Sequence, residues 1–302
     1  MSTTDSPDRK FSLGKLVFGK PLKTEALAHQ TISKPVGLAV FASDALSSTA
    51  YATEEILLIL ALAGTGAATL GLSIPIALAI AVLMVIVTIS YRQTINAYPN
   101  GGGAYIVARD NLGERPAQIA AAALLTDYIL TVAVSISSGV AQITSAFEAL
   151  RPYRVEMALV VIFLITIINL RGVRESGQFF AIPTYFFLAT MFLTLGVGFF
   201  RYLAGDLPNV VNVEAVHSGA QTVTLFLVLR AFSSGSAAMT GIEAISNGVT
   251  AFKEPRSRNA ATTLVWMTTL LVITFLGITF MAYQVHALPS ESETVISQIG
   301  RT

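Results

Sequence analysis

Val36-Gly-Leu-Ala-Val-Phe-Ala-Ser-Asp-Ala-Leu-Ser-Ser-Thr-Ala-Tyr51 runs on apolar to about Ala63 and carries one carboxylate, Asp44, near its middle. An ionisable group at bilayer depth costs roughly 2.5–3.5 kcal/mol on insertion scales. The small and hydroxyl residues around it, Ala42, Ser43, Ser47, Ser48 and Thr49, make a poor regular membrane helix. A carboxylate in a weakened helix at mid-membrane is the layout of a coupled-transporter site. The stretch therefore predicts a first span interrupted near Asp44, and the rest of the chain is read outward from it.

Of the 302 residues, 53% are hydrophobic and 12% charged. A soluble domain of this size carries roughly twice that charged fraction. Several stretches of about 20 residues are nearly free of charge, which is the transmembrane-helix signal. The basic residues are dispersed through loops, so a net charge of +1 gives no sign of a nucleic-acid partner. With no cysteine, disulfides and thiolate metal sites are excluded. His29, His217 and His286 do not cluster, so a metal site is not expected. The polar first 30 residues, with Lys10, Lys15, Lys20 and Lys23, are no signal peptide, which needs an apolar core after a short basic start.

The hydropathy pattern predicts seven spans, at about 36–63, 71–95, 116–149, 155–171, 179–203, 221–251 and 260–284. The third and sixth are long for one crossing, so each is expected to hold a turn or a break. The connections alternate in charge. With a cytoplasmic N-terminus, the inner side holds Arg9, Lys10, Lys15, Lys20, Lys23, Lys34, Arg92, Arg109, Arg115, Arg171, Arg174, Lys253, Arg256 and Arg258. The outer side holds only Arg151, Arg154, Arg201 and Arg301. The bias predicts an inside N-terminus, a cytoplasmic segment 1–35, a transmembrane domain 36–285 and an extracellular tail 286–302. The tail ends abruptly at Ile299-Gly-Arg-Thr302 with no terminal helix evident. The expectation is an incomplete chain, against the other reading of a genuine seven-span protein.

A faint repeat is legible. Phe41-Ala-Ser-Asp44 is followed by Glu54, and Phe232-Ser-Ser-Gly235 by Glu243, each in a stretch rich in Gly, Ala, Ser and Thr. Two weakened helices five spans apart point to inverted repeats around a mid-membrane site, although small residues also serve packing alone.

Four carboxylates fall within spans: Asp44, Glu54, Asp127 and Glu243, with Glu55 beside Glu54. Asp44 has no basic residue near it in sequence; its other reading is an acceptor for backbone groups freed by a helix break. Asp127, Thr131 and Ser135 recur at i, i+4 and i+8, so a helix sets them in one column with Tyr128 alongside. Such oxygens suit a hard or weakly hydrated cation; a polar seam against another helix is the alternative. Thr240 and Glu243 share a face after the glycine-broken stretch Ser233-Ser-Gly-Ser236. Lost helix there frees carbonyls to coordinate an ion. A carboxyl among apolar neighbours suits a proton carrier, or is a buried neutral acid bonded to backbone. One of Glu54 and Glu55 is expected to face water at the mouth, and Arg230 to pair with a carboxylate or snorkel. Pro99-Asn-Gly-Gly-Gly-Ala-Tyr105 lacks a GxGxxG spacing and a preceding strand. It reads as a tight re-entry at the cytoplasmic face rather than a nucleotide loop.

These residues carry a resemblance. Tyr98-Pro-Asn-Gly-Gly-Gly-Ala-Tyr105 with Asn111-Leu-Gly113 resembles the second-helix signature of the amino acid–polyamine–organocation superfamily. Gly241-Ile-Glu-Ala-Ile-Ser246 with Lys253-Glu-Pro-Arg256 resembles its sixth-helix signature. Within it, Ser43-Asp-Ala-Leu-Ser-Ser48 with Ala50-Tyr-Ala-Thr-Glu54 is similar to the KimA-type potassium–proton symporters. Amino acid carriers keep a glycine-rich break there for a substrate carboxylate, which Asp44 would repel. The resemblance covers most of positions 30 to 285. It implies an all-α, LeuT-like fold of inverted five-helix repeats with discontinuous helices 1 and 6, the first repeat at about 36–203 and the second beginning at about 221–285. It also implies that Asp44, Tyr51, Asp127, Tyr128, Thr131, Ser135, Thr240 and Glu243 line a path for potassium and protons. It implies no cofactor, a bacterial inner (plasma) membrane and a homodimer when full length. Further helices and a C-terminal region under cyclic di-AMP control are expected outside these residues. The rival functions are an amino acid or polyamine permease, in which Asp44 and Asp127 bind an ammonium, and a transport-inactive sensor or structural partner. An enzyme is the least expected, since no Ser/His pair or paired-Asp motif is present.

Overall fold

The structure, a computed structural model, describes residues 31–170, 173–216, 219 and 221–302, without the side chains of 173–176. Arg9, Lys10, Lys15, Lys20, Lys23, His29, Arg171 and His217, and hence most of the segment 1–35, lie outside the described residues, as does the side chain of Arg174.

The first helix, α1, spans Lys34–Ala61, with Ser33 extended before it and Pro35 in its first turn. It is unbroken, contrary to the expectation of an interruption near Asp44. No glycine or proline occurs from Leu38 to Ala61, and the hydroxyls turn back onto the helix instead of opening it. Ser43 Oγ donates to Val40 O at 3.2 Å, Ser47 Oγ to Asp44 O at 2.6 Å and Thr49 Oγ1 to Leu46 O at 2.7 Å. Back-bonding of this kind bends helices more readily than it breaks them.

After the short α2 (Ala67–Leu70) come α3 (Ser73–Ala97) and α4 (Ala104–Leu112). Gly113, at φ 93°, turns the chain directly into α5 (Glu114–Ala146). Expected to hold a turn, α5 is one continuous helix of 33 residues; the turn is the 3-10 segment Glu148–Tyr153 that follows. Next are α6 (Arg154–Asn169) and α7 (Val173–Ala204). The sixth expected span is broken as predicted: α8 (Leu225–Gly235), a 3-10 turn Ser236–Met239, non-helical Thr240–Glu243, then α9 (Ala244–Asn247). α10 (Arg256–Gln284) and α11 (Val295–Arg301) complete the chain.

Among the described residues, six helical segments are long and apolar enough to cross a membrane: Ala67–Ala97, Glu114–Ala146, Glu148–Asn169, Gly177–Ala204, Leu225–Asn247 and Arg256–Gln284. They match the second to seventh expected spans and make this an all-helical, multi-pass membrane protein. α1 is long enough, about 42 Å for its 28 residues against a hydrocarbon core of about 30 Å. Asp44, Glu54, Glu55 and the hydroxyls lower its hydropathy. Its position explains why this is tolerated: α1 is the centre of the bundle, packed on α10, α8 and α7. Its polar groups meet protein rather than lipid. Leu46, Ile56, Leu57 and Leu60 of α1 form the core with Ile80 and Met84 of α3 and Leu264 and Phe275 of α10. Hydroxyl pairs stitch the helices, Thr53 to Thr279 at 2.8 Å and Thr88 to Thr268 at 2.7 Å. By contrast, α6 buries no residue and α5 only four, so their apolar side chains face outward.

The tail differs from its expectation. Residues 288–302 fold back over one end of the bundle, and α11 is a capped helix: Thr294 Oγ1 accepts from Ser297 N. Gln298, fully buried, donates to Leu288 O at 2.7 Å and Glu293 O at 3.0 Å and accepts from Leu288 N at 2.9 Å. All four arginines expected outside gather at this end. Arg151 and Arg154 donate to Ser292 O and Glu291 O, Arg301 pairs with Glu293, and Arg201 reaches Thr302 O. At the other end, a bridge between Ile32 and Phe252 sets the start of α1 beside Lys253.

Candidate functional site

The break in the sixth span lies directly against the middle of α1. Thr240 leaves the helix at ψ 142° and Gly241 follows at φ 80°. A Cβ on Gly241 would stand 2.9 Å from Asp44 Oδ2 and 3.0 Å from Ala45 N. The residue thus needs glycine twice over, for its left-handed backbone and for the approach of the break to the Asp44 carboxylate. Three hydroxyls line the junction. Ser48 Oγ and Thr240 Oγ1 are 2.6 Å apart, and Tyr51 Oη donates to Ser48 Oγ at 3.3 Å. One helical turn separates Asp44 from Ser48 and another leads to Tyr51, so α1 presents all three along one side.

The column on α5 meets the same place. Ser135 Oγ and Ser47 Oγ are 3.1 Å apart, joining α5 to α1, and Thr131 is buried one turn below. Asp127 is near enough to both Asp44 and Glu243 for their charges to repel. Tyr128 lies beside Glu243, and its hydroxyl accepts from Asn247 Nδ2. Glu243 stands at the N-cap position of α9 without a side-chain cap hydrogen bond, and its Oε1 is buried with no hydrogen-bond partner among the described residues.

All eight predicted site residues therefore fall in one region between α1, α5 and the break. Asp44, Thr240, Glu243 and Tyr128 are half-buried, Thr131 and Tyr51 buried, Ser135 half-buried and Asp127 the most open. Among the described residues no lysine or arginine forms an ion pair with any of these carboxylates. Asp44 and Glu243, half-buried without a counter-charge, are costly unless cations or protons neutralise them. Hydroxyl oxygens from Ser47, Ser48, Thr131, Ser135 and Thr240 offer neutral ligands in the same space. The set is all-oxygen, which suits an alkali cation or proton and not a soft metal. No group of three or more His, Asp or Glu poised for a metal ion occurs among the described residues.

Glu54 and Glu55 border a separate cavity of about 420 Å³ toward the tail end, lined also by Tyr51, Ser138, Arg154, Glu293 and Thr294. Neither is simply a solvated mouth residue: Glu54 Oε2 accepts from Val295 N at 3.3 Å and Glu55 Oε2 from Ser234 Oγ at 3.0 Å. Arg230, expected to pair with a carboxylate or snorkel, is exposed on α8 with no ion pair among the described residues, which leaves the second alternative.

Sequence reasoning missed Ser47 and Ser48 as the groups that join α1 to its partners, and Asn247 as the partner of Tyr128. Asn247 stands one turn after Glu243, the i+4 spacing that would have flagged it. The glycine turn 101–103 packs on this same segment: Gly102 N donates to Ser246 O at 3.3 Å and Ser246 Oγ to Gly102 O at 2.9 Å.

The model of the family described as amino acid permease matches residues 37–300. The potassium transporter KimA of Bacillus subtilis (strain 168) is 49% identical over 289 residues, which are 96% of this chain and 47% of that protein. The chain thus spans about half the length of the curated relative it matches.

Proposed function

The chain belongs to the amino acid permease family, and from that premise we propose that it forms the cation-carrying part of a secondary active potassium importer driven by protons. The observation that carries this reading is the meeting of Asp44, Asp127 and Glu243 with five hydroxyls and no basic partner. A substrate carboxylate would be repelled from such a site, whereas a monovalent cation neutralises it. Hydroxyl and carboxylate oxygens replace the weakly held water of a large alkali ion. Asp44 and Asp127 act as charged ligands, Ser135, Thr131, Thr240 and Ser48 as neutral ones, and Tyr51 and Tyr128 close the two sides. Glu243, with one oxygen unpartnered, carries the proton. The potassium transporter named above supports this substrate through its high identity.

The surrounding features extend the reading. The segregation of basic residues supports a cytoplasmic N-terminus in the plasma membrane. The reading includes no cofactor and no enzymatic step, and a homodimer of the full-length protein. The test is rubidium uptake into proteoliposomes. Asp127→Asn abolishes uptake while the protein remains folded and monodisperse; wild-type uptake by that variant removes Asp127 from the site. The family description favours one rival, an amino acid or polyamine permease. Competition of uptake by cationic amines instead of potassium selects it.

A further inference from the structure

We propose that Asn247 is a positioning residue that ties Tyr128 to the glycine turn 101–103 and so holds the basic end of the cation path shut. The proposal rests on the carboxylate cluster being that path. Two segments distant from it in sequence converge on this one side chain. Its Nδ2 donates to Tyr128 Oη on α5. Its Oδ1 occupies the place that a Cβ on Gly103 would take. Its backbone N donates to Glu243 O at 3.0 Å, which keeps it one turn from Glu243.

The neighbours make the joint stiff. Ser246 and Gly102 exchange two hydrogen bonds, as described above, so the turn cannot slide along α9 without losing both. Asn111 Nδ2 donates to Tyr98 Oη at 3.0 Å, which braces α4 against the start of the turn. The turn and α4 thus form a cross-piece over the end of the bundle that carries Lys253, and Asn247 is where that cross-piece meets the site. From the opposite end, a cavity reaches Tyr51. An ion leaving past Glu243 toward the basic end meets Tyr128 and Asn247, and parting their hydrogen bond also releases the turn. A residue that links two packed elements in this way acts on the gate rather than on the ion.

Because the chain has no cysteine, a single one reports access without interference. Thr131→Cys places a thiol on the buried face of α5 next to the site. Its rate of modification by a small, charged methanethiosulfonate is measured on inside-out vesicles. Adding Asn247→Ala is expected to raise that rate several-fold. Gly103→Ala is expected to do the same, because its Cβ displaces the Asn247 amide. Gly103→Ala added to Asn247→Ala is expected to have no further effect, since the collision is already gone. An unchanged rate with Asn247→Ala overturns the proposal. So does an equal effect of Gly103→Ala in both backgrounds, and the Gly103→Ala arm decides alone if Asn247→Ala does not fold. Labelling needs no transport, so loss of the potassium reading in rubidium uptake leaves this result standing, and the converse holds too.

Discussion

Replacing Gly241 with alanine tests whether the break in the sixth span and the carboxylate of α1 are one structural unit. Gly241 sits at φ 80°, where an L-residue with a Cβ loses about 1–2 kcal/mol relative to the right-handed region. The new methyl also lands 2.9 Å from Asp44 Oδ2 and 3.0 Å from Ala45 N. Asp44 Oδ2 can swing away; Ala45 N cannot, because Ala45 is fully buried in the central helix. Forcing a carbon into such a contact costs roughly 1–3 kcal/mol, so the total is roughly 2–5 kcal/mol. The measurement is thermal unfolding of the purified protein in detergent, paired with rubidium uptake. Expected are a clearly lowered unfolding midpoint and a loss of uptake greater than instability explains, since the displaced carboxylate belongs to the proposed site. Adding Asp44→Ala removes the carboxylate contact but leaves both the backbone strain and the Ala45 contact, so it restores only part of the stability. A Gly241→Ala protein within about 0.5 kcal/mol of wild type, the range of neutral surface changes, with normal uptake, would refute the reasoning.

Two further outcomes follow from the hydrogen bonds. Gln298→Ala leaves Leu288 N and O without their partner, at about 1–3 kcal/mol for buried unmet groups; limited proteolysis should then cut within 288–302, and an uncut tail counts against the fold-back. Thr279 Oγ1 also donates to Phe275 O at 2.9 Å, so Thr279→Val alone strands the hydroxyl of Thr53, whereas the pair of changes to valine removes both hydroxyls at similar shape. The single variant is therefore expected to be less stable than the double, and the opposite order in unfolding midpoints shows that the pair does not join the helices.

The membrane class, six of the spans and the gathering of the eight expected residues into one region were legible in the sequence because each rests on a local signal. Apolar run length reports a crossing, and helical spacing reports a shared face. The break after Ser236 was legible through Gly235 and Gly241. The intact α1 was not: the same hydroxyls that lower helix propensity can also bond back to the helix, and only tertiary packing decides which occurs. The tail was misread for a similar reason. Its polar residues gave no sign of a terminal helix, but Gln298 satisfies its partners internally while Val295 and Ile299 seat in the core. The i+4 spacing from Glu243 points to Asn247, but its contacts with Tyr128 and the glycine turn join positions far apart in sequence, and no local pattern names those partners.

The contrast between one whole and one broken helix bears on how the site could work. α1 holds Asp44 and Ser48 on a continuous ladder at the packed centre of the bundle, so their spacing is rigid. The facing groups, Thr240 and Glu243, sit on backbone outside regular helix, where small changes in φ and ψ move them at little cost. An ion bound between the two therefore draws the mobile side toward the fixed one, and the differential contact is with the break. The same break carries Asn247 one turn beyond Glu243, so a shift that closes oxygens around an ion is passed to the glycine turn without any change in α1. If α1 instead moved, Thr53 and Thr279 would have to part in the core, at the loss of a buried hydroxyl pair. A disulfide between cysteines placed at Thr53 and Thr279 discriminates the two: gating on the break predicts that the cross-linked protein keeps ion-dependent changes in Thr131→Cys labelling, and loss of those changes assigns the motion to α1.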